Sequence, residues 1–273
     1  MKLFERIGMD TGRKLPVEEA IAWANDNSVR YLDVQTDLAP NAMSTMLDRA
    51  PGIRAALDAT GLKLGLHTLS GVNIAEVSPF VSDAADEYLR AYVDLAVACG
   101  AEWTIVHAGY HFTDDYEMRK QAGLDRLKRA ADYAEKRGTL LLLENTNREP
   151  DRAEAQYLAC TIEEILFYFD NLKSSALGFA FTANHAHLYP QGVAGFIDAL
   201  EFSRCLEVRL ADCFGTHEEH LNPGDGSVDF GDMFKRLEAK GFNGHYMNQF
   251  GSLQDMLDGR DYLVERAKEA GVT

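Results

Sequence analysis

The chain has 273 residues, and its 27 Lys and Arg against 43 Asp and Glu leave a formal net charge of −16. With 46% hydrophobic and 26% charged residues it has the composition of a folded globular protein, not of a disordered one. The acid surplus argues against a nucleic-acid or anionic-membrane surface, because phosphate binding depends on Lys and Arg displacing counterions. No nucleic-acid partner and no membrane surface are therefore expected.

The opening Met1-Lys2-Leu3-Phe4-Glu5-Arg6 has no apolar stretch of the signal-peptide kind. No window approaches the ~18 apolar residues of a membrane span. Cys99, Cys160, Cys205 and Cys213 are scattered without a CxxC pair, as expected for reduced thiols in a cytoplasmic protein.

In chain order, short apolar runs of strand length fall at 6–10, 31–35, 63–67, 103–107, 139–144, 178–182, 207–212 and 244–249. Stretches of helical period lie between them. One begins at Val17, just after Pro16, a favoured first-turn residue; Leu89, Tyr92, Val93 and Ala96 mark a second face, and Leu124, Leu127, Ala131 and Ala134 a third. Gly61, Gly100, Gly138 and Gly241 fall shortly before the next run, where helices end. Eight strands alternating with eight helices is the count of an α/β fold of the single (β/α)8 TIM barrel type, one domain over residues 1–273. A doubly wound sheet is disfavoured, because the turn after the first run, Asp10-Thr11-Gly12-Arg13-Lys14, has no glycine-rich phosphate motif.

In such a barrel, function collects at the C-terminal strand ends. Those ends carry His67, His107, Glu144, Thr182 with Asn184 and His185, Arg209 with Asp212, and Gln249. Period-two alternation puts Glu144 on one face with Leu142 and Leu140, Thr182 with Ala180, and Arg209 opposite in phase to Val208 and Leu210. Polar groups thus converge inward at one end.

Six segments carry a resemblance over essentially the whole chain: Ile105-Val106-His107-Ala108-Gly109, Leu142-Leu143-Glu144-Asn145, the 182–187 segment with Thr182, Asn184, His185 and His187, Arg209-Leu210-Ala211-Asp212, the HxxPGxGxxD stretch from His220 to Asp229, and the 241–244 turn from Gly241 to Gly244. In these the chain resembles the xylose-isomerase-like TIM barrels, which include sugar isomerases and epimerases, inosose dehydratases and, more distantly, type-two AP endonucleases. The resemblance implies a four-ligand divalent-metal site at the ends of strands five to eight. Glu144 keeps the first position, whereas the Asp, His and Glu positions fall on Thr182, Arg209 and Gln249. The usual site is thereby expected to be lost, since Arg cannot deprotonate to become a ligand.

Two readings of the altered site stay open. In one, Arg209 replaces the metal, paired with Glu144 and polarising a carbonyl or holding an enediolate, so that chemistry needs no metal. In the other, His67, His107 and Glu144 hold a divalent metal such as Zn or Mn, as the AP-endonuclease branch implies. On either, Glu144, His185 and Arg209 are the candidate catalytic residues, and His67, His107, Asn184, Asp212, His220 and Gln249 the candidate substrate contacts. His187 reads as structural or supporting, and His111, His217 and His245 as surface or packing residues. Residues 147–154 are long for a connection and suit a lid, its Arg148 and Arg152 being solvated charges or an anion contact. The resemblance implies an isomerase or epimerase of a small polyhydroxylated molecule, a sugar, keto-sugar or cyclitol. A lyase or dehydratase on a related compound and a non-catalytic sugar-binding barrel remain alternatives, and dimerisation is an expectation with no interface legible. The pocket is expected to be poorer in carboxylates than the acidic exterior.

Overall fold

The computed structural model describes residues 2–272. Its strands are β1 (Ile7–Gly12), β2 (Tyr31–Gln35), β3 (Lys63–His67), β4 (Trp103–Val106), β5 (Tyr110–Phe112), β6 (Leu140–Glu144), β7 (Ala155–Tyr157), β8 (Leu177–Thr182), β9 (Cys205–Leu210) and β10 (His245–Asn248). Eight of them close into a parallel barrel in the order β1-β2-β3-β4-β6-β8-β9-β10. The other two, β5 and β7, pair antiparallel beyond the ends of β4 and β6. This small sheet was not expected, and its second strand begins directly after the 147–154 connection anticipated as a lid. The helices are α1 (Leu3–Arg6), α2 (Val17–Asp26), α3 (Met43–Thr60), α4 (Pro79–Cys99), α5 (Tyr116–Arg137), α6 (Ile162–Asn171), α7 (Ala183–His187), α8 (Gly192–Ala199), α9 (Phe230–Ala239) and α10 (Leu253–Glu269). Among the described residues no helix is long and apolar enough to cross a membrane.

Alternation along each strand separates two interiors. Leu32 and Val34 of β2 and Leu141 and Leu143 of β6 point outward into the helix layer, where they meet the expected apolar faces of α4 and α5. Helices α3, α4 and α5 end at Gly61, Gly100 and Gly138 with φ of 68°, 81° and 75°, a conformation in which a Cβ is strained.

The lumen is part apolar and part ionic. Trp103, Ile105, Leu142, Ala180 and Met247 pack together in it. Gly65 makes room for the indole, since a Cβ there would lie 2.1 Å from Trp103 Nε1. Trp103 Nε1 donates to Asp33 Oδ1 at 3.0 Å. At the N-terminal end, His245 stacks on Tyr31 with centroids 4.5 Å apart and lies equally close to Trp103. Its Nε2 is 2.8 Å from Glu207 Oε2.

Burial pushes the His245 imidazole down to about 3, so the folded chain holds it neutral. An unfolded histidine takes a proton below about pH 6.5, and the folded one resists until about pH 3. Stability is therefore lost as pH falls through that window, at up to about 1.4 kcal/mol per pH unit from this group. Unfolding in urea between pH 4 and 7 should give a shallower acid limb for His245→Phe than for the native chain. Equal slopes would show that His245 does not set that limb.

Candidate active site

The C-terminal strand ends open into a cavity of about 550 Å³. His67 ends β3, His107 directly follows β4 and Glu144 ends β6, so neighbouring strands deliver three side chains to one point. His67 Nε2 lies 3.4 Å from His107 Nε2 and 3.4 Å from Glu144 Oε2; His107 Nε2 lies 3.1 Å from the same oxygen. The far nitrogens have supports. His67 Nδ1 is 3.6 Å from Asp10 Oδ2, and His107 Nδ1 is 3.3 Å from Thr68 Oγ1. Thr182 Oγ1 donates to Glu144 Oε1 in a short hydrogen bond.

Burial alone would raise the Glu144 carboxyl, but hydrogen bonds from His107 and His67 and the charge of Arg209 hold it well below the usual carboxylate range. Burial and Arg209 oppose a proton on His67, yet the neighbouring carboxylates of Asp10 and Glu144 push it up to about 9. Burial moves His107 the other way, down. The trio is a carboxylate facing two imidazoles whose proton affinities are shifted in opposite directions.

A second group forms the opposite part of the wall. His185, on α7 just past β8, places Nδ1 2.7 Å from the Asn145 carbonyl and Nε2 3.2 Å from Glu218 Oε1. His220 makes a short contact with the same oxygen, and its ring lies 4.1 Å from that of Phe250. Against the cost of burial, Glu218 raises the His185 imidazole, and the two imidazoles bring Glu218 down to about 2. His185 bonded to a carbonyl at one nitrogen and a carboxylate at the other is an imidazolium, with a proton at each.

Arg209 is not where a substrate-facing cation would be. Its side chain has no exposed surface and lies beneath the cavity floor. Nη1 donates to Asp33 Oδ2 at 2.7 Å and to Glu207 Oε1 at 2.5 Å; Nη2 donates to Asp10 and, at 2.7 Å, to Gln249 Oε1. Glu144 is a more distant partner, 3.6 Å from Nε. Expected as an electrophile, Arg209 is instead the counter-ion of three buried acids, with its donors taken. Burial raises Asp33 and Glu207, whereas against burial the facing His67 imidazole and the charge of Arg209 bring Asp10 to about 2. The expectation of a carboxylate-poor centre is corrected too, because Asp10, Asp33, Glu144 and Glu207 all lie inside the barrel.

Asp212 and Asn184 are likewise displaced from the cavity lining. The Asp212 carboxylate accepts from the amides of Cys213, Gly224 and Val228, each at 2.9 Å, and so ties down the loop after β9. Asn184 donates to the Glu219 carbonyl at 3.1 Å. His67, His107, His185, His220 and Gln249 do line the cavity with Glu144. His187 bonds Ser227 Oγ at 2.9 Å, and Arg148 pairs with Asp151. Asp10, Asp33, Glu207 and Glu218 were not anticipated. For Asp33 a signal existed: period two puts it on the lumen face with Tyr31 and Gln35.

Residues 21–272 match the sequence profile of the xylose isomerase-like TIM barrel family. The chain belongs to that family. It is 24% identical over 201 residues to the uncharacterized protein MJ1311 of Methanocaldococcus jannaschii, covering 72% of this chain and 67% of that one. Similar solved structures are a D-tagatose 3-epimerase-like protein (TM-score 0.79, 19% identity, 97% and 98% of the two chains) and the 3-keto-D-glucoside 4-epimerase YcjR from E. coli (0.77, 15%, 96% and 99%). A third is a D-psicose 3-epimerase from Clostridium cellulolyticum (0.72, 14%, 97% and 96%). At these identities the likeness is one of fold.

The four positions that the resemblance marks as metal ligands do converge here, but on hydrogen bonds: Thr182 to Glu144, and Arg209 to Gln249. The donors that fit a cation are His67, His107 and Glu144. A tetrahedral ion with ligands about 2.0–2.1 Å away has edges of about 3.3 Å, and the three edges here are 3.1–3.4 Å. His67 Nδ1, buried without a hydrogen-bond partner but facing Asp10, matches the carboxylate support usual behind a ligating imidazole.

Proposed function

We propose that this barrel is an isomerase or epimerase of a small sugar, keto-sugar or cyclitol, working by proton transfer next to a carbonyl. The observation that carries the reading is the meeting, in one cavity, of the Glu144 carboxylate between two imidazoles and the His185–Glu218 ion pair. His67, His107 and Glu144 would hold a divalent cation of the Zn type, which when bound supplies Lewis-acid polarisation of a substrate oxygen. The alternative in which Arg209 stands in for a metal loses its geometric basis with that side chain beneath the floor.

The chain's own groups divide the remaining work. His185 holds a proton at Nε2 against Glu218 Oε1, and this pair lines the cavity as its proton reservoir. The other N–H of His185 is fixed on the Asn145 carbonyl, so the ring cannot turn away. Thr182 orients Glu144, and the ring of Phe250 gives an apolar surface for the C–H face of a sugar. Asp10 holds His67 in register from behind.

The test is hydrogen exchange. In D2O, a panel of ketoses, their terminal phosphates and the corresponding keto-uronates should include a compound that gains deuterium at the carbon next to its carbonyl without losing mass otherwise. His185→Asn should slow that exchange about 10²-fold. Loss of one water or a fragment would place the barrel among lyases. Absence of label in every compound would overturn the reading.

A further inference from the structure

The wall facing Glu144 differs in kind from the rest of the cavity. In the barrel order, β1 and β6 are separated by three strands on either side, so the loop after β1 stands across the mouth from Glu144. That loop turns at Gly12, with φ of 54°, and is closed by Lys14 N donating to the Thr11 carbonyl at 2.9 Å. It sets Arg13 and Lys14 side by side on the cavity edge.

Neither side chain has an ion pair or hydrogen bond among the described residues. Elsewhere in this acid-rich chain cations are commonly neutralised: Arg6 by Glu238, Arg49 by Glu18, Arg129 by Asp86. The nearby Asp10 does not serve, because its oxygens are committed to Arg209 and to the Gly12 amide. Gln35 and Ser70, from the adjoining strand ends, also line the cavity with side chains free of internal hydrogen bonds. The side holding Glu144, His185 and Glu218 is the reverse, with its charges paired among themselves.

We infer that Arg13 and Lys14 hold an anionic terminal group of the substrate, a phosphate or a carboxylate, while its carbonyl end lies against Glu144. The assignment rests on the proton-transfer reading of the same cavity. It also gives the substrate a direction: Glu144 and Glu218 repel an anion from one end, and two adjacent cations attract it to the other. Arg13 and Lys14 are far from the reacting carbon, so their contribution falls on binding and appears in KM more than in kcat.

Calorimetric titration with D-fructose, D-fructose 6-phosphate and D-fructuronate tests the assignment, run beside the exchange assay. One of the anions should bind about tenfold or more tightly than D-fructose. That advantage should vanish in Arg13→Ala/Lys14→Ala and return in part in Arg13→Lys/Lys14→Arg. The two anions tell phosphate from carboxylate. No advantage for either anion, or an advantage that survives in the double alanine variant, overturns the anion site. Preference for an anion without deuterium exchange keeps the anion site and removes the epimerase reading; exchange without preference does the reverse.

Discussion

Glu144→Gln is expected to lower proton exchange by about 10²- to 10⁴-fold and to strip the protein of its cation. Glutamine keeps the size of the side chain and its bond to Thr182, but removes the anion that His67 and His107 face at 3.4 and 3.1 Å. Two imidazoles that repel one another, with no carboxylate between them, form a poor ligand set for a divalent ion. Protein purified without chelator should carry about one Zn or similar ion per chain by elemental analysis, and the variant should carry none. Chelated native protein should lose turnover and recover it when the ion is returned. Full turnover in metal-free native protein would end the proposed role of the cation. Full turnover in Glu144→Gln would end that of the carboxylate.

Arg209→Met should cost about 3–5 kcal/mol of folding stability, a large part of the 5–15 kcal/mol typical of a domain. The substitution keeps much of the volume and removes the charge facing Asp10, Asp33 and Glu207, all of them buried. Those acids would have to take up protons or draw water into the lumen. Arg209→Lys should also be destabilising, because one ammonium cannot reproduce a fork reaching three carboxylates and Gln249. Urea unfolding at pH 7 measures both. A methionine variant as stable as the native chain but inactive would return Arg209 to the reacting groups, against its burial.

The barrel was legible because its signals are local and repeated. Two-residue alternation in the runs at 139–144 and 178–182 set their faces, and Gly61, Gly100 and Gly138 marked the helix ends. The β5–β7 sheet was not, since three-residue strands are too short to carry a period. Phase also placed Glu144 and Thr182 on the lumen side, and strand-end position singled out His67 and His107, but neither carries information about depth. Arg209 shares its face with Glu207, two residues lower, and the β8–β9 register shifts at Phe179/Ala180; its long side chain runs to the acids of β1 and β2 instead of up to the mouth. Asp212 lies beyond the end of β9, where an acid meets free loop amides before it meets a cavity. Two of the partners of Arg209, Asp10 and Asp33, come from strands 199 and 176 residues earlier, and no pattern within one run announces such a meeting.

The stack of His245, Tyr31 and Trp103 at the N-terminal end of the barrel has a consequence for traffic. With the lumen filled below the ionic cluster, the C-terminal mouth is entrance and exit alike. On the proposed epimerase reading, a product differing from its substrate at one carbon would occupy the same passage and the same contacts until it leaves. Direction is then set by the concentrations outside, and accumulated product holds back the next turnover by occupancy alone.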